Sequence, residues 1–144
     1  NYEYLQILRY NEGNYYQSHH DFNVKELDRP QGVRLLTVFL YLSDVEEGGG
    51  TRFPELDSVR DNLGTESISG TGGEVVVKPK LGRAVIWPSV LDADPEQPDR
   101  RARHGADVVV KGIKFGANAW VHSRNYKLPY SKTCHDEEVI SVTV

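Results

Sequence analysis

The chain has 144 residues, of which 26% are charged and 38% hydrophobic, and its net charge is −4. That length fits one domain with a core of its own, and the acidity argues against nucleic acid as a partner. The longest apolar run, Leu35–Leu42, falls far short of the ~20 residues of a membrane-crossing helix.

Strand-like sequence opens the chain at Tyr2–Tyr10 and returns at Tyr15–Phe22. The second stretch, "YYQSHHDF", carries two histidines and an aspartate. On a strand successive side chains face opposite ways, so His19 and Asp21 point together and His20 points away. His19 and Asp21 can thus share one metal ion, although a polar strand end is the plainer reading of three such residues. Asn23–Gly32 is polar, with a proline and a glycine, and reads as a loop. Val33–Leu42 is apolar on both faces, which suits a central strand covered on each side. Glu55–Gly73 is a second polar loop with four glycines; loops of that length are lids, binding loops or disordered surface. Further strands are expected at Glu74–Lys78, Arg83–Trp87, Ala106–Val110 and Ile113–Val121. Helical periodicity is weak throughout, so the expected fold is all-β, a barrel or a two-sheet jelly roll.

A third metal ligand has three candidates. His135 lies in a polar tail, His122 closes a strand, and His104 opens one. Two histidines and one carboxylate leave coordination positions open, as non-haem Fe(II) oxygenases require. A structural zinc site would close with a further Cys or His, and the only thiol, Cys134, sits in the tail. His104 leads into what reads as a hairpin. A three-residue loop, Val110-Lys111-Gly112, with Gly112 in the left-handed region, would pair Val109 with Ile113. In that register Lys114, Asn118 and Trp120 share the face of His104. A lysine facing a barrel interior needs an anion.

Four segments together, "RYNEGNYYQSHHDF", "RLLTVFLYLSDVEEGGGTRFP", "KPKLGRAVIWPS" and "HGADVVVKGIKFGANAWVH", resemble the prolyl 4-hydroxylases of the Fe(II)/2-oxoglutarate-dependent dioxygenases, from about Tyr10 to about His122. The resemblance implies a double-stranded β-helix in one catalytic domain over residues 1–144. It implies iron held by His19, Asp21 and His104, and 2-oxoglutarate bound by Lys114 with Tyr10 and Thr51. Tyr41 would be a wall residue. The spacing of Lys114 from His104 and of Tyr10 from His19 is the family's usual one. Tyr16, Arg34 and Trp120 match positions near the substrate proline, with core packing the alternative for Tyr16 and Trp120. The implied reaction hydroxylates peptidyl proline at C4 with O2 and 2-oxoglutarate, releasing succinate and CO2. Ascorbate would serve as reductant, and the endoplasmic reticulum or secretory lumen as compartment. Alternatives are a sister hydroxylase with another substrate, or a silent jelly-roll binding module. His20 stands where that family often has an aromatic residue. The family's helices before the first strand have no counterpart here. The chain is therefore read as a fragment lacking them, with one sheet face less covered.

Overall fold

The structure is a computed structural model that describes residues 1–56, 68–69 and 74–127. Its first sheet has four antiparallel strands. They are β1 (Gln6–Tyr10), β3 (Arg34–Tyr41), β8 (Ala84–Pro88) and β13 (Lys114–His122), in the order β1-β13-β3-β8. The second sheet holds β2 (Tyr16–His19), β5 (Thr51–Phe53), β6 (Ile68–Ser69), β7 (Val75–Val77) and β11 (His104–Ala106), in the order β2-β11-β5-β7-β6. Two small ladders complete it: β4 (Glu47–Gly48) with β12 (Val109–Lys111), and β9 (Val90–Leu91) with β10 (Asp94–Pro98). Phe39 and Tyr41 of β3, Phe53 of β5, Val75 and Val77 of β7, and Trp87 of β8 form the core between the two large sheets. This is the expected jelly roll. Among the described residues there is no α-helix, only 3-10 turns at Val24–Glu26 and Arg100–Ala102. Among the described residues no helix is long and apolar enough to cross a membrane.

The central position of β3 follows from its composition, since Leu, Val, Phe and Tyr pack well on a pleated surface. Its inner residues Thr37, Phe39 and Tyr41 are buried. Its outer residues Leu36, Val38 and Leu40 are only half covered, and neighbouring Ile7 and Ile86 are exposed. The expectation that β3 is covered on both sides therefore fails on the outer face, while the less-covered sheet face is found there.

Three other expectations change. The Tyr2–Tyr10 strand begins only at Gln6, with Tyr2 making a single bridge to Val121. The loop at 23–32 contains the turn Val24–Glu26, capped by the Asn23 side chain, which accepts from the Lys25 amide. Of the loop at 55–73, only Glu55, Leu56 and the strand β6 lie within the described residues, as does only the beginning of the tail.

The largest correction concerns the hairpin. β12 does not pair with β13 but with β4, placing Val109 opposite Gly48 and Lys111 opposite Glu47. The backbone of Val109 is already committed elsewhere: its amide donates to the Asn14 carbonyl (3.0 Å) and its carbonyl accepts from the Gly13 amide (2.8 Å). The Asp107 amide donates to the Gly50 carbonyl (2.8 Å). Between β11 and β13 the chain thus leaves one sheet and joins the other. Gly112 has the expected positive φ of 95°, and Lys114 does face inward. The reason is pairing of β13 with β1 and β3, Tyr10 lying opposite Lys114, not a hairpin register.

Gly48 (φ 79°) and Gly112 both occupy the left-handed region, but their surroundings differ. A Cβ on Gly48 would lie 2.2 Å from the Val108 carbonyl oxygen, whereas one on Gly112 would meet nothing closer than 3.4 Å. Gly112→Ala is expected to cost about 1–2 kcal/mol from backbone conformation alone. Gly48→Ala should cost clearly more, because the β4–β12 ladder must also part. Urea denaturation of both variants checks the order.

Candidate active site

His19 closes β2 and His104 opens β11, and the two face each other across a strand pair. The Nδ1 of His19 lies 2.9 Å from the Gln17 carbonyl and that of His104 2.9 Å from the Ala102 carbonyl. A carbonyl only accepts, so each Nδ1 carries the proton and each Nε2 keeps a free lone pair. Both Nε2 atoms lie 3.7 Å from the Asp21 carboxylate, one at each oxygen. The ligand atoms of the three residues fall within 4.8 Å of one another. Thr37 Oγ1 donates to Asp21 Oδ2 at 2.6 Å and fixes the carboxylate. These residues fit a divalent metal. The donors converge, the nitrogens facing the gap have no closer partner, and each first ligand is oriented by a second group, as metal-ligating histidines usually are.

The electrostatics fit as well. Burial by itself would raise the Asp21 carboxyl. His19, His104 and Thr37 outweigh it and hold the group well below the usual carboxylate range. Burial lowers the His104 imidazole, against the pull of Asp21, so the ring favours the neutral form that can ligate. Trp87 and Phe53 pack against His104, with ring centroids 4.6 and 5.8 Å away.

His20 takes no part in the triad. Its Nε2 is 2.8 Å from the Asp99 carbonyl and its Nδ1 accepts the Phe22 amide at 2.9 Å. His122 is not a ligand either. It is buried, with Nδ1 2.8 Å from the Gly32 carbonyl and Nε2 2.6 Å from Glu3 Oε1. His135 lies outside the described residues.

The triad opens on a cavity of about 530 Å³ that is also lined by Tyr10, Tyr16, Arg34, Thr51, Lys114 and Trp120. The nine residues expected to hold metal, 2-oxoglutarate and substrate therefore meet in one space, whereas Tyr41, expected as a wall residue, does not line it. At one end Lys114 is 1% exposed and, among the described residues, forms no hydrogen bond or ion pair. Its Nζ lies 5.3, 5.2 and 5.5 Å from the ring centroids of Tyr10, Phe39 and Tyr41. Burial pulls its ammonium down to about 8, with Asp107 opposing. Beside it the Tyr41 hydroxyl donates to the Val77 carbonyl at 3.1 Å and lies 2.6 Å from Thr51 Oγ1, so the Thr51 hydroxyl donates to the Tyr41 oxygen. Tyr41 does not line the cavity but holds the residue that does. Burial pushes the Tyr41 phenol up to about 12 and also raises Tyr10, so both stay protonated. Along β1 exposure rises from Tyr10 through Leu8 to Gln6, so the cavity opens away from Lys114.

At the other end the guanidinium of Arg34 lies 3.7 Å from the Trp120 ring centroid and is bound by Glu3 through Nε (2.6 Å) and Nη2 (3.2 Å). Glu3 is half-buried. Its bonds from His122 and Arg34 overcome the effect of burial and hold its carboxyl low. The Trp120 indole nitrogen is buried without a partner. Sequence reading missed Thr37, Glu3 and the anchoring role of His122. Thr37 left a trace, being the only aliphatic hydroxyl in the apolar stretch of β3. Glu3 left none, because its partners lie 31 and 119 residues away.

The 2OG-Fe(II) oxygenase superfamily matches residues 5–122. Probable prolyl 4-hydroxylase 10 of Arabidopsis thaliana is 38% identical over 134 residues, covering 88% of this chain and 44% of that protein. Prolyl 4-hydroxylase subunit alpha-2 of Gallus gallus is 32% identical over 140 residues, 95% of this chain and 22% of that one. Among solved structures, a viral collagen prolyl hydroxylase from Paramecium Bursaria Chlorella virus-1, in complex with 2OG, superposes with a TM-score of 0.64 at 30% identity. The match covers 87% of this chain and 61% of that chain. A Pseudomonas putida prolyl-4-hydroxylase shares the fold, with a TM-score of 0.54 at 18% identity over 86% of this chain and 52% of that one. The chain spans less than half the length of these curated relatives.

Thr37→Val keeps the shape of the side chain and removes its bond to Asp21. Loss of such an outer partner typically costs 10–100-fold in metal affinity. Titration with Co(II) should show a loss of about that size, with the thermal midpoint changed far less than in a core-cavity variant such as Phe39→Ala.

Proposed function

The chain belongs to the 2OG-Fe(II) oxygenase superfamily, and on that premise we propose that it is a prolyl 4-hydroxylase. It would hydroxylate peptidyl proline at C4 with O2 and 2-oxoglutarate, releasing succinate and CO2. The observation that carries this reading is what one cavity brings together: a buried ammonium unpaired among the described residues, a His-Asp-His triad, and an Arg–Trp pair beside the open side. His19, Asp21 and His104 would hold ferrous iron. Bound there with 2-oxoglutarate, the iron would supply the oxidising chemistry.

The chain's own residues do the rest. Lys114 would neutralise the far carboxylate of 2-oxoglutarate, while the Tyr10 phenol donates to it and Thr51 lines the wall beside it. An ammonium surrounded by aromatic rings recovers in that pairing the solvation it lost on folding. Trp87 and Phe53 exclude water behind His104. On the open side Trp120, which lines the cavity, would offer apolar surface to a proline ring. Arg34, held by Glu3, keeps that ring in place. Tyr16, exposed beside His19, completes the peptide side.

The reading is tested by incubating a peptide library with the protein, Fe(II), 2-oxoglutarate and ascorbate, the reductant the resemblance implies. Proline-containing peptides should gain one oxygen atom on proline as succinate forms. Succinate with no modified peptide would point to a sister hydroxylase with another substrate. Neither product would leave a silent binding module.

Two variant sets examine the parts. Removing one partner of a buried ion pair costs ~3–5 kcal/mol, so Lys114→Ala should raise the apparent 2-oxoglutarate constant on the order of a hundredfold or more. Only the protonated ammonium pairs with a carboxylate. Because the free group sits at about 8, 2-oxoglutarate affinity should be level below that pH and fall as pH rises through it. Lys114→Arg should lose the fall. Arg34→Ala and Trp120→Phe should each cut peptide turnover strongly and leave the 2-oxoglutarate constant within about threefold, since neither contacts the Lys114 end. Steady-state kinetics with each substrate varied in turn measure both effects.

A further inference from the structure

His20 sits between two candidate metal ligands, yet both its ring nitrogens are already committed. Nε2 faces a carbonyl, that of Asp99, and must therefore carry the proton and donate (2.8 Å). Nδ1 accepts the Phe22 amide (2.9 Å). The ring has no lone pair left for a metal, but it joins two parts of the chain that are 79 residues apart.

What lies at the far end gives that bond its meaning. The Asp99 carbonyl that receives the His20 proton also accepts the Ala102 amide (2.9 Å), closing the 3-10 turn at Arg100–Ala102. The buried Asp99 carboxylate caps the same turn, accepting the Arg101 amide at 3.0 Å. The turn ends at Ala102, whose carbonyl takes the Nδ1 proton of His104. A continuous path of four hydrogen bonds therefore runs from Phe22, next to Asp21, through the ring of His20 to the Asp99–Ala102 turn and on to His104. β2 has stopped at His19 and β11 starts only at His104, so no sheet ladder spans this gap.

We propose that His20 is a positioning residue: the β2–β11 ladder already pairs His19 with His104, and the Nε2–H···O=C bond from His20 to Asp99 sets where Asp21, beyond that ladder, stands relative to the turn that orients His104, and so sets the bite of the triad. This rests on the reading of His19, Asp21 and His104 as a metal site. His20 also lines the cavity, but with both ring nitrogens committed it acts on the triad through the turn that orients His104.

The test uses the intact chain and Co(II) as probe. His20→Phe keeps a ring and loses both hydrogen bonds. His20→Gln keeps a side-chain N–H at the reach of Nε2. His20→Phe should bind Co(II) about tenfold more weakly, at the low end of the effect of losing an outer partner, with altered visible ligand-field bands. His20→Gln should stay within about threefold of the parent and recover its bands. In the metal-free parent, the ring nitrogens seen by 15N NMR should report protonated Nε2 and bare Nδ1. Parent-like binding and bands in His20→Phe would overturn the proposal. So would a Gln variant as impaired as the Phe variant, since the ring and not the bond would then matter, or the opposite tautomer in the spectrum. His19→Ala separates the two layers. If it binds Co(II) as tightly as the parent, the metal-site reading itself falls and takes the proposal with it. If it does not bind while His20→Phe is unaffected, only the positioning role is lost.

Discussion

A buried ammonium without a counter-ion is the constraint around which the cavity is arranged. Lys114 is in the interior strand of a sheet, flanked by β1 and β3, and cannot swing out to water. A charge so placed is costly unless something offsets it. Three aromatic faces offer it partial compensation. The two glycines near it serve the same geometry. A Cβ on Gly116 would lie 2.5 Å from the Phe39 ring, and one on Gly49 would touch the Lys114 stem. The aromatic walls therefore close on the stem only because these positions carry no side chain. What remains is a space that suits an anion, walled by Thr51, whose hydroxyl is tied to that of Tyr41.

The metal triad solves a different problem. Its ligands come from two segments that no ladder connects at the level of Asp21, so orientation is delegated to individual hydrogen bonds. Each imidazole is locked by the carbonyl two residues before it, at Gln17 and at Ala102. This is a local device that needs only a bend in the backbone. The carboxylate is locked from the opposite sheet by Thr37. The rigid strands supply the platform, and short side chain to backbone bonds do the aiming.

Much of this was legible in the chain. Alternation along Tyr15–Phe22 separates His19 and Asp21 from His20, although β2 ends at His19 and a bend completes the turn of Asp21. Apolar, β-branched runs mark β3, β7 and β8. The aromatic and small residues of Lys114–His122 mark a strand with one cavity-facing side, and Trp120 and Lys114 share it as expected. What was not legible is any partner chosen at long range. A turn at Val110–Gly112 looks like a hairpin because the sequence shows the glycine but not the competing acceptors at Asn14 and Gly50. The left-handed glycine belongs equally to a hairpin and to a strand changing sheets. Short strands such as β4 and β5 are also silent, because two or three residues carry no period.

The contrast between His104 and His122 shows what turns a buried histidine into a ligand. Both end or begin strands, both are buried, and both have Nδ1 against a carbonyl with Nε2 toward a carboxylate. The difference lies in the carboxylate. Glu3 already holds the Arg34 guanidinium, so its charge is spent and His122 makes a direct bond at 2.6 Å. Asp21 has no guanidinium or ammonium among its partners; only a hydroxyl and two imidazoles face it. Those imidazoles stand off at 3.7 Å, too far for a hydrogen bond. A buried carboxylate held in its charged form, with two imidazole nitrogens aimed at it from beyond bonding distance, still lacks a cation among the described residues. That deficit is absent at Glu3, where the protein supplies the cation itself. A histidine beside a carboxylate thus makes a closed ion-pair anchor in one place and a site that could hold a metal in the other, and the presence of Arg34 decides which.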